Sequence, residues 1–163
     1  MTDMLVQALI SCFVGCTAVA AISDVRELRV PNRICAAIGL LFLVYSAVAL
    51  DLRSFGLAAA VGGATLLAGF VLFSRGWLGG GDAKLLSVAA LWAGPAHALD
   101  LFAVTAVAGG ALALALRSPM TAPLTTGLQQ RWQRVTPGQS APMPYAVAIA
   151  TGALVVAAQL FAA

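Results

Sequence analysis

The sequence predicts an all-α membrane protein, a bundle of about six transmembrane helices in a single integral-membrane domain over residues 1–163. Of its residues, 61% are hydrophobic and only 9% are charged, whereas about 25% of the residues of a soluble domain are charged. Apolar runs long enough to cross about 30 Å of hydrocarbon recur along the whole chain. The composition therefore argues against a soluble enzyme and against a soluble binding domain.

Six apolar runs are the candidate transmembrane helices. The first three runs contain no charged residue, and the sixth follows a proline-rich stretch. The fourth run is short, and Gly94-Pro95, followed by His97 and Asp100, separates it from the fifth. An arrangement with five spans therefore stays open. In chain order the runs are Leu5–Ile22, Ile34–Leu50, Phe55–Phe73, Leu85–Leu99, Leu101–Leu116 and Tyr145–Phe161.

The distribution of lysine and arginine predicts the orientation, because both residues are enriched in cytoplasmic loops. Alternate loops carry all of these residues except Arg53, which lies on the opposite side. This arrangement places both chain termini outside and puts Asp24 and Asp82 on the cytoplasmic side. The basic residues of the predicted cytoplasmic loops, 23–33, 74–84 and 117–144, are Arg26, Arg29, Arg33, Arg75, Lys84, Arg117, Arg131 and Arg134.

The loop before the last run contains five prolines, and most of it is predicted to be irregular. Within it, Leu128, Trp132 and Val135 have helical spacing, and Thr126 and Gln129 are placed as a capping box. The pattern predicts a short interfacial helix with Trp132 at the level of the lipid headgroups.

Two acidic residues are the candidate catalytic pair. Asp82 follows the glycine run Gly79-Gly80-Gly81 between two apolar runs, and Asp24 follows the first apolar run. Acids within a membrane protein are costly and commonly functional, and glycine lets other backbone come close. Two neighbouring carboxylates can take a proton from water and give one to a leaving group, and their repulsion moves their apparent pKa values apart. The pair therefore predicts acid/base hydrolysis.

Other roles for these residues stay open. Glu27 lies one helical turn after Asp24 and could itself be the partner of Asp82, although neighbouring arginines favour a solvated salt bridge. Asp82 could instead be a helix N-cap. Lys84 would face away from Asp82 on a helix, as an interface anchor or a substrate contact.

Several other site classes are not supported by the pattern. Lys84 is preceded by alanine and followed by leucine, whereas a phosphate-binding loop needs Gly-Lys-Ser/Thr. His97 has no second ligand at metal-binding spacing, so no metal or other cofactor is predicted. The three cysteines form no C-x-x-C pair. Basic residues are spread singly rather than in a dense patch, which argues against nucleic acid as a partner.

The residues around both acids resemble the G-x-G-D aspartic membrane proteases, and within them the type IV prepilin peptidases. Segment 79–85 is similar to the family's glycine-Asp-x-Lys-Leu signature, and segment 24–32 is similar to its first-Asp segment ending in Pro-Asn. Segment 142–150 resembles the Pro-Tyr/Phe stretch that opens the last helix. The supporting residues that the resemblance marks are Gly79, Gly80, Gly81, Lys84, Pro31, Asn32, Pro144 and Tyr145.

The resemblance implies that Asp24 and Asp82 are catalytic. It also implies that the enzyme removes the basic leader from prepilins and pseudopilins at the cytoplasmic face of the bacterial inner membrane. The lipid bilayer would be the other partner. Longer family members carry an N-terminal domain with paired C-x-x-C motifs, and this sequence has none. This difference suggests the compact type that serves Flp, or tight-adherence, pilins, and it puts methylation of the new N-terminus in doubt. The close fit of segments 30–32 and 79–85 to the compact bacterial form favours it over an archaeal preflagellin peptidase.

Two functions of other classes compete with the peptidase. A small proton-coupled transporter would use intramembrane acids as a relay and would have inverted symmetry, which the two halves of the sequence lack. A non-catalytic pilus or secretion assembly protein would tolerate replacement of either aspartate by asparagine.

Overall fold

The computed structural model describes residues 2–118, 126, 127, 130, 132 and 143–162. Five long helices and no strand occur in this part of the chain, and residues 126, 127, 130 and 132 are also helical, so the all-α prediction is confirmed. All five are long and apolar enough to cross a membrane. The helices are α1 Thr2–Glu27, α2 Asn32–Ala49, α3 Leu52–Ser74, α4 Gly80–Arg117 and α5 Tyr145–Ala162.

Helix α1 continues past the predicted apolar run and carries Asp24 in its last turn. The helix ends where Leu28 takes a φ of 51°, a left-handed conformation that is unusual for a leucine. The Leu28 N–H still donates to the Asp24 carbonyl at 2.8 Å. Pro31 then precedes α2, because a proline cannot continue the hydrogen bonding of a preceding helix. A short connection therefore joins Asp24 to the start of α2.

Both ends of α3 have defined caps. Asp51 is the N-cap, and its carboxylate accepts a hydrogen bond from the Ser54 N–H at 3.0 Å. Hydrogen bonds from the Ser54 side chain and backbone hold the pKa of the exposed Asp51 below its usual value. At the other end Gly76 has a φ of 73°. The Gly76 N–H donates to Phe73 and the Trp77 N–H donates to Leu72, which forms a Schellman motif.

The fourth and fifth predicted helices form one 38-residue element, α4, so six separate helices are not observed. The element is broken at the predicted place, because Gly94 has non-helical angles of φ 54° and ψ −169°. Pro95 disfavours helical geometry in the residue before it, and only glycine adopts these angles at low cost. The two halves of α4 can therefore point in different directions.

Small residues let both halves of α4 pack closely against neighbouring helices. The first half lies antiparallel to α3, with Gly69 against Ala83 and Gly62 against Leu91. The second half packs on α5, where Gly152 meets Leu101. Because these glycines lack a Cβ, the helix backbones approach closely, as is common in membrane bundles.

An aromatic cluster fills the interior between α1, α2 and α4. Trp92 stacks on Phe13 with ring centroids 4.6 Å apart and on Tyr45 with centroids 4.9 Å apart. The Trp92 indole N–H donates to the Ile38 carbonyl at 3.2 Å. Phe13 of the cluster lies about 16 Å along α1 from Asp24, at a rise of about 1.5 Å per residue. It holds the helices together below the polar end of the bundle.

Candidate active site

A cavity of about 470 Å³ opens at the end of the bundle where α1 ends and α4 begins. Its walls come from the last turn of α1, the α1–α2 connection and the first turn of α4. It contains both predicted catalytic acids and five of the eight predicted supporting residues. The residues that line it are Asp24, Glu27, Leu28, Arg29, Val30, Pro31, Asn32, Gly79, Gly80, Gly81 and Asp82.

Asp24 is held by the start of the last helix. Its side chain is only 4% exposed, and its Oδ2 accepts a hydrogen bond from the Ala146 N–H at 3.0 Å. The first N–H groups of a helix have no partner within that helix. The Asp24 carboxylate therefore supplies an acceptor to α5 and is oriented by it. Pro144, which is fully buried, precedes this turn.

Asp82 lies in the first turn of α4 and is not its N-cap. The N-cap is Gly79, whose carbonyl accepts the Ala83 N–H at 3.0 Å. The alternative role as a cap is therefore wrong, because the helix begins before the acid. Asp82 Oδ1 is buried and has no hydrogen-bond partner among the residues that the structure describes. A buried carboxylate oxygen without a partner is costly unless water or a ligand binds it.

Gly79 and Gly81, two of the three glycines before Asp82, have different neighbours. A Cβ on Gly79 would lie 2.6 Å from Asp82 Oδ2, so this glycine makes room for the carboxylate. A Cβ on Gly81 would instead lie 3.1 Å from the Val30 Cβ. Gly81 therefore allows the α1–α2 connection to pack against α4, and it is Gly79 that leaves space beside the acid.

Lys84 connects two of the predicted motifs. Its Nζ donates to the Asn32 Oδ1 at 3.0 Å, which ties the start of α4 to the start of α2. The contact was not among the roles predicted for Lys84, which were a membrane anchor or a substrate contact. Because the two residues are far apart in sequence, the bond needs the folded bundle.

The sequence pattern also marks Tyr145, Glu27 and Trp132, and the structure gives each of them different surroundings. Tyr145 packs beside Gly109 and does not line the cavity. Glu27 is exposed at the cavity, and no ion pair to it occurs among the described residues. Trp132 is 2% exposed, and its indole N–H donates to the Val25 carbonyl at 2.8 Å. The side chain is thus buried against the last turn of α1, and its level relative to the lipid headgroups stays a prediction.

The other residues of the predicted interfacial helix and its flank lie outside the described part of the chain, except Thr126. Those not described are Leu128, Gln129, Arg131, Arg134 and Val135. Sequence reasoning missed the Ala146 N–H and the contact of Trp132, since neither a backbone amide nor a lone tryptophan carries a local motif.

The cavity offers carboxylate chemistry. The buried Asp24 and the half-buried Asp82, 58 positions apart in sequence, line one space that is large enough for a short peptide segment. Within the described ranges, no group of three or more His, Cys, Asp and Glu side chains could hold a metal ion. Two carboxylates are the groups used by enzymes that activate water and protonate a leaving amine directly.

Comparison with known proteins adds an independent observation. Neither the curated proteins nor the solved structures gave a match to this chain. A model of the type IV leader peptidase family matches residues 11–114, a range that includes Asp24, Asp82 and the glycine run. The match covers more than half of the chain. The protein therefore belongs to the type IV leader peptidase family.

Proposed function

We propose that this protein is a membrane-embedded aspartic endopeptidase that removes the basic leader from Flp-type prepilins, with Asp24 and Asp82 as its catalytic pair. One observation carries the proposal: in a member of a leader peptidase family, two acids distant in sequence line the same cavity. Residues 1–163 act as one integral-membrane peptidase domain in this proposal.

The surroundings of the two acids suggest different roles in the first step. The Ala146 N–H donates to Asp24, and such a bond favours the ionised form of a carboxylate. Asp24 is therefore the base that takes a proton from the attacking water. Asp82 accepts no such bond at its buried Oδ1 among the described residues, and in this proposal it carries the proton and gives it from the cavity side to the substrate carbonyl or to the leaving amine. Protonation passes between the two acids, so the pH–rate profile belongs to the pair.

The bundle geometry supports six crossings with the cavity at the cytoplasmic face. The first half of α4 runs away from the cavity beside α3, and the second half returns toward the start of α5, where Gly109 meets Tyr145. The chain thus crosses twice within α4, and both termini lie at the opposite, outer end. The basic residues near the cavity end obey the positive-inside rule.

The substrate enters from the membrane boundary. A prepilin places a short basic leader before an apolar helix, and the cavity lies where apolar helix ends meet polar loops. The carboxylates of Asp24 and Glu27 line the cavity beside the protonated Asp82 and attract a basic segment. Arg29 is the only basic residue that the described lining contains.

The test is cleavage of a co-expressed Flp-type prepilin, followed as a gel shift. Asp24→Asn and Asp82→Asn should each abolish cleavage, because asparagine cannot transfer the proton, while protein levels in the membrane stay normal. Glu27→Gln should keep most of the activity. Asp51→Asn is the matched control, since asparagine also caps a helix and Asp51 lies far from the cavity.

Three other outcomes of this cleavage assay would contradict parts of the proposal. Cleavage that survives in both aspartate variants would rule out the two-acid mechanism and favour an assembly role. Loss in Glu27→Gln together with activity in Asp24→Asn would transfer the role of Asp24 to Glu27. If the wild-type protein does not cleave this prepilin, either its substrate is a different protein or it is a transporter rather than a peptidase.

A further inference from the structure

Two hydrogen bonds converge on the last turn of α1, where Asp24 lies. The Ala146 N–H binds the Asp24 side chain, and the Trp132 indole N–H binds the carbonyl of the next residue, Val25, at 2.8 Å. Both donors come from the part of the chain that follows α4. The family match ends at residue 114, so neither donor belongs to the matched region.

The Val25 carbonyl is one of the last four carbonyls of α1, and such carbonyls have no partner within their own helix. The chain does not extend the helix, because Leu28 turns into the left-handed region. The Trp132 N–H therefore supplies a partner at the point where the helix hydrogen-bond ladder stops. The bond is formed by a side chain that is 2% exposed, and little water reaches it.

We infer that Trp132 is a positioning residue that fixes the last turn of α1 and so sets the position of the Asp24 carboxylate against Asp82. Trp132 does not line the cavity, so it would act on the reaction through Asp24. The inference rests on the proposed function and adds a residue outside the three sequence motifs. Errors of about 1 Å in the position of a catalytic group cost up to about a hundredfold in rate.

The chain offers a matched control. Trp92 is also 2% exposed, and its indole N–H also donates to a backbone carbonyl, that of Ile38, at 3.2 Å. Trp92 lies in the aromatic cluster and not at the last turn of α1. Replacement of either tryptophan by phenylalanine removes one buried N–H and keeps most of the ring. Only the Trp132 change should alter the geometry of Asp24.

The experiment measures cleavage of a purified Flp-type prepilin by the purified full-length enzyme in detergent. For Trp132→Phe we expect kcat to fall about tenfold with KM within about twofold of wild type, and a limb of the kcat–pH profile to be displaced. Trp92→Phe should keep the wild-type kcat and pH profile even if its melting temperature falls. Wild type and Asp82→Asn in the same assay test the proposed function separately.

The outcomes distinguish the two claims. Wild-type kcat in Trp132→Phe, or an equal loss of kcat in Trp92→Phe, would overturn the positioning role while leaving the two-acid mechanism intact. Activity in Asp82→Asn would instead overturn the mechanism itself. If Trp132→Phe does not fold, benzothienylalanine at position 132 replaces only the N–H by sulfur. Wild-type kcat in that protein, or its failure to accumulate, would also overturn the inference.

Discussion

At the scale of single residues, the candidate site depends on small groups that leave space or complete hydrogen bonds. Asp24 is buried and oriented by a helix N–H, whereas Asp82 has a buried oxygen free among the described residues. The difference matters because two identical side chains need different surroundings to act as base and acid. Gly79 contributes by having no side chain beside Asp82.

The space that Gly79 leaves beside Asp82 can be tested by replacing Gly79 with alanine. Gly79 has ordinary extended angles, φ −68° and ψ 141°, so alanine fits its backbone. The new Cβ would lie 2.6 Å from Asp82 Oδ2, and the carboxylate must rotate away. Gly79→Ala should therefore lower kcat about tenfold or more with little change in thermal stability, measured by prepilin cleavage and by unfolding in detergent.

The control for this change is Gly63→Ala, because nothing lies within 4 Å of a Cβ at Gly63. Equal activity of the two variants would contradict the role of Gly79. Gly81→Val should also disable the enzyme, because the new side chain would meet Val30 and displace the α1–α2 connection from the start of α4.

At the scale of secondary structure, the informative element is α4. It combines the first turn that carries Asp82, a half that packs on α3 and a half that packs on α5. An unbroken helix of this length would extend about 57 Å, far more than the hydrocarbon thickness. The break at Gly94 is what lets the first half pack on α3 and the second half return along α5 toward the cavity end.

The break can be tested by Gly94→Ala. Its φ of 54° and ψ of −169° are costly for alanine, although the nearest atom to a new Cβ is 3.8 Å away. The cost is therefore conformational and should be about 1–3 kcal/mol in the free energy of unfolding. Thermal or denaturant unfolding in detergent measures it. Gly63→Ala, at an open position within α3, should instead be neutral or slightly stabilising, and a stable Gly94→Ala protein would argue against the break.

At the scale of the whole molecule, the helix ends that carry polar residues gather at one end of the bundle. The end of α1, the starts of α2 and α4, and the start of α5 meet around the cavity. The opposite end carries Asp51 and Arg53. This separation agrees with a membrane protein whose active site faces one side only.

The sidedness can be measured with single cysteines. In a protein with Cys12, Cys16 and Cys35 replaced by serine, Arg53→Cys should react with a membrane-impermeant maleimide in intact spheroplasts. Arg33→Cys should react only after the membrane is opened, because it lies at the cavity end. The reverse pattern would place the active site outside and contradict the proposed cytoplasmic cleavage.

The sequence by itself determined that the chain is all-helical with long apolar helices, and it indicated the family. Long apolar runs are local signals, because each span must satisfy its own backbone hydrogen bonds in lipid. The break at Gly94-Pro95 is also local, because the residue before a proline avoids helical geometry. Acids beside apolar runs are conspicuous for the same reason, since their burial is costly.

Only the tertiary structure decided how the acids are held. The Ala146–Asp24 bond spans 122 positions and the Trp132–Val25 bond spans 107. Neither donor has a local pattern that marks its partner, and the contacts depend on how α1 packs against chain segments far along the sequence. The distinction between Gly79 and Gly81 is of the same kind, because what a missing side chain makes room for depends on which atoms the folded chain brings to it.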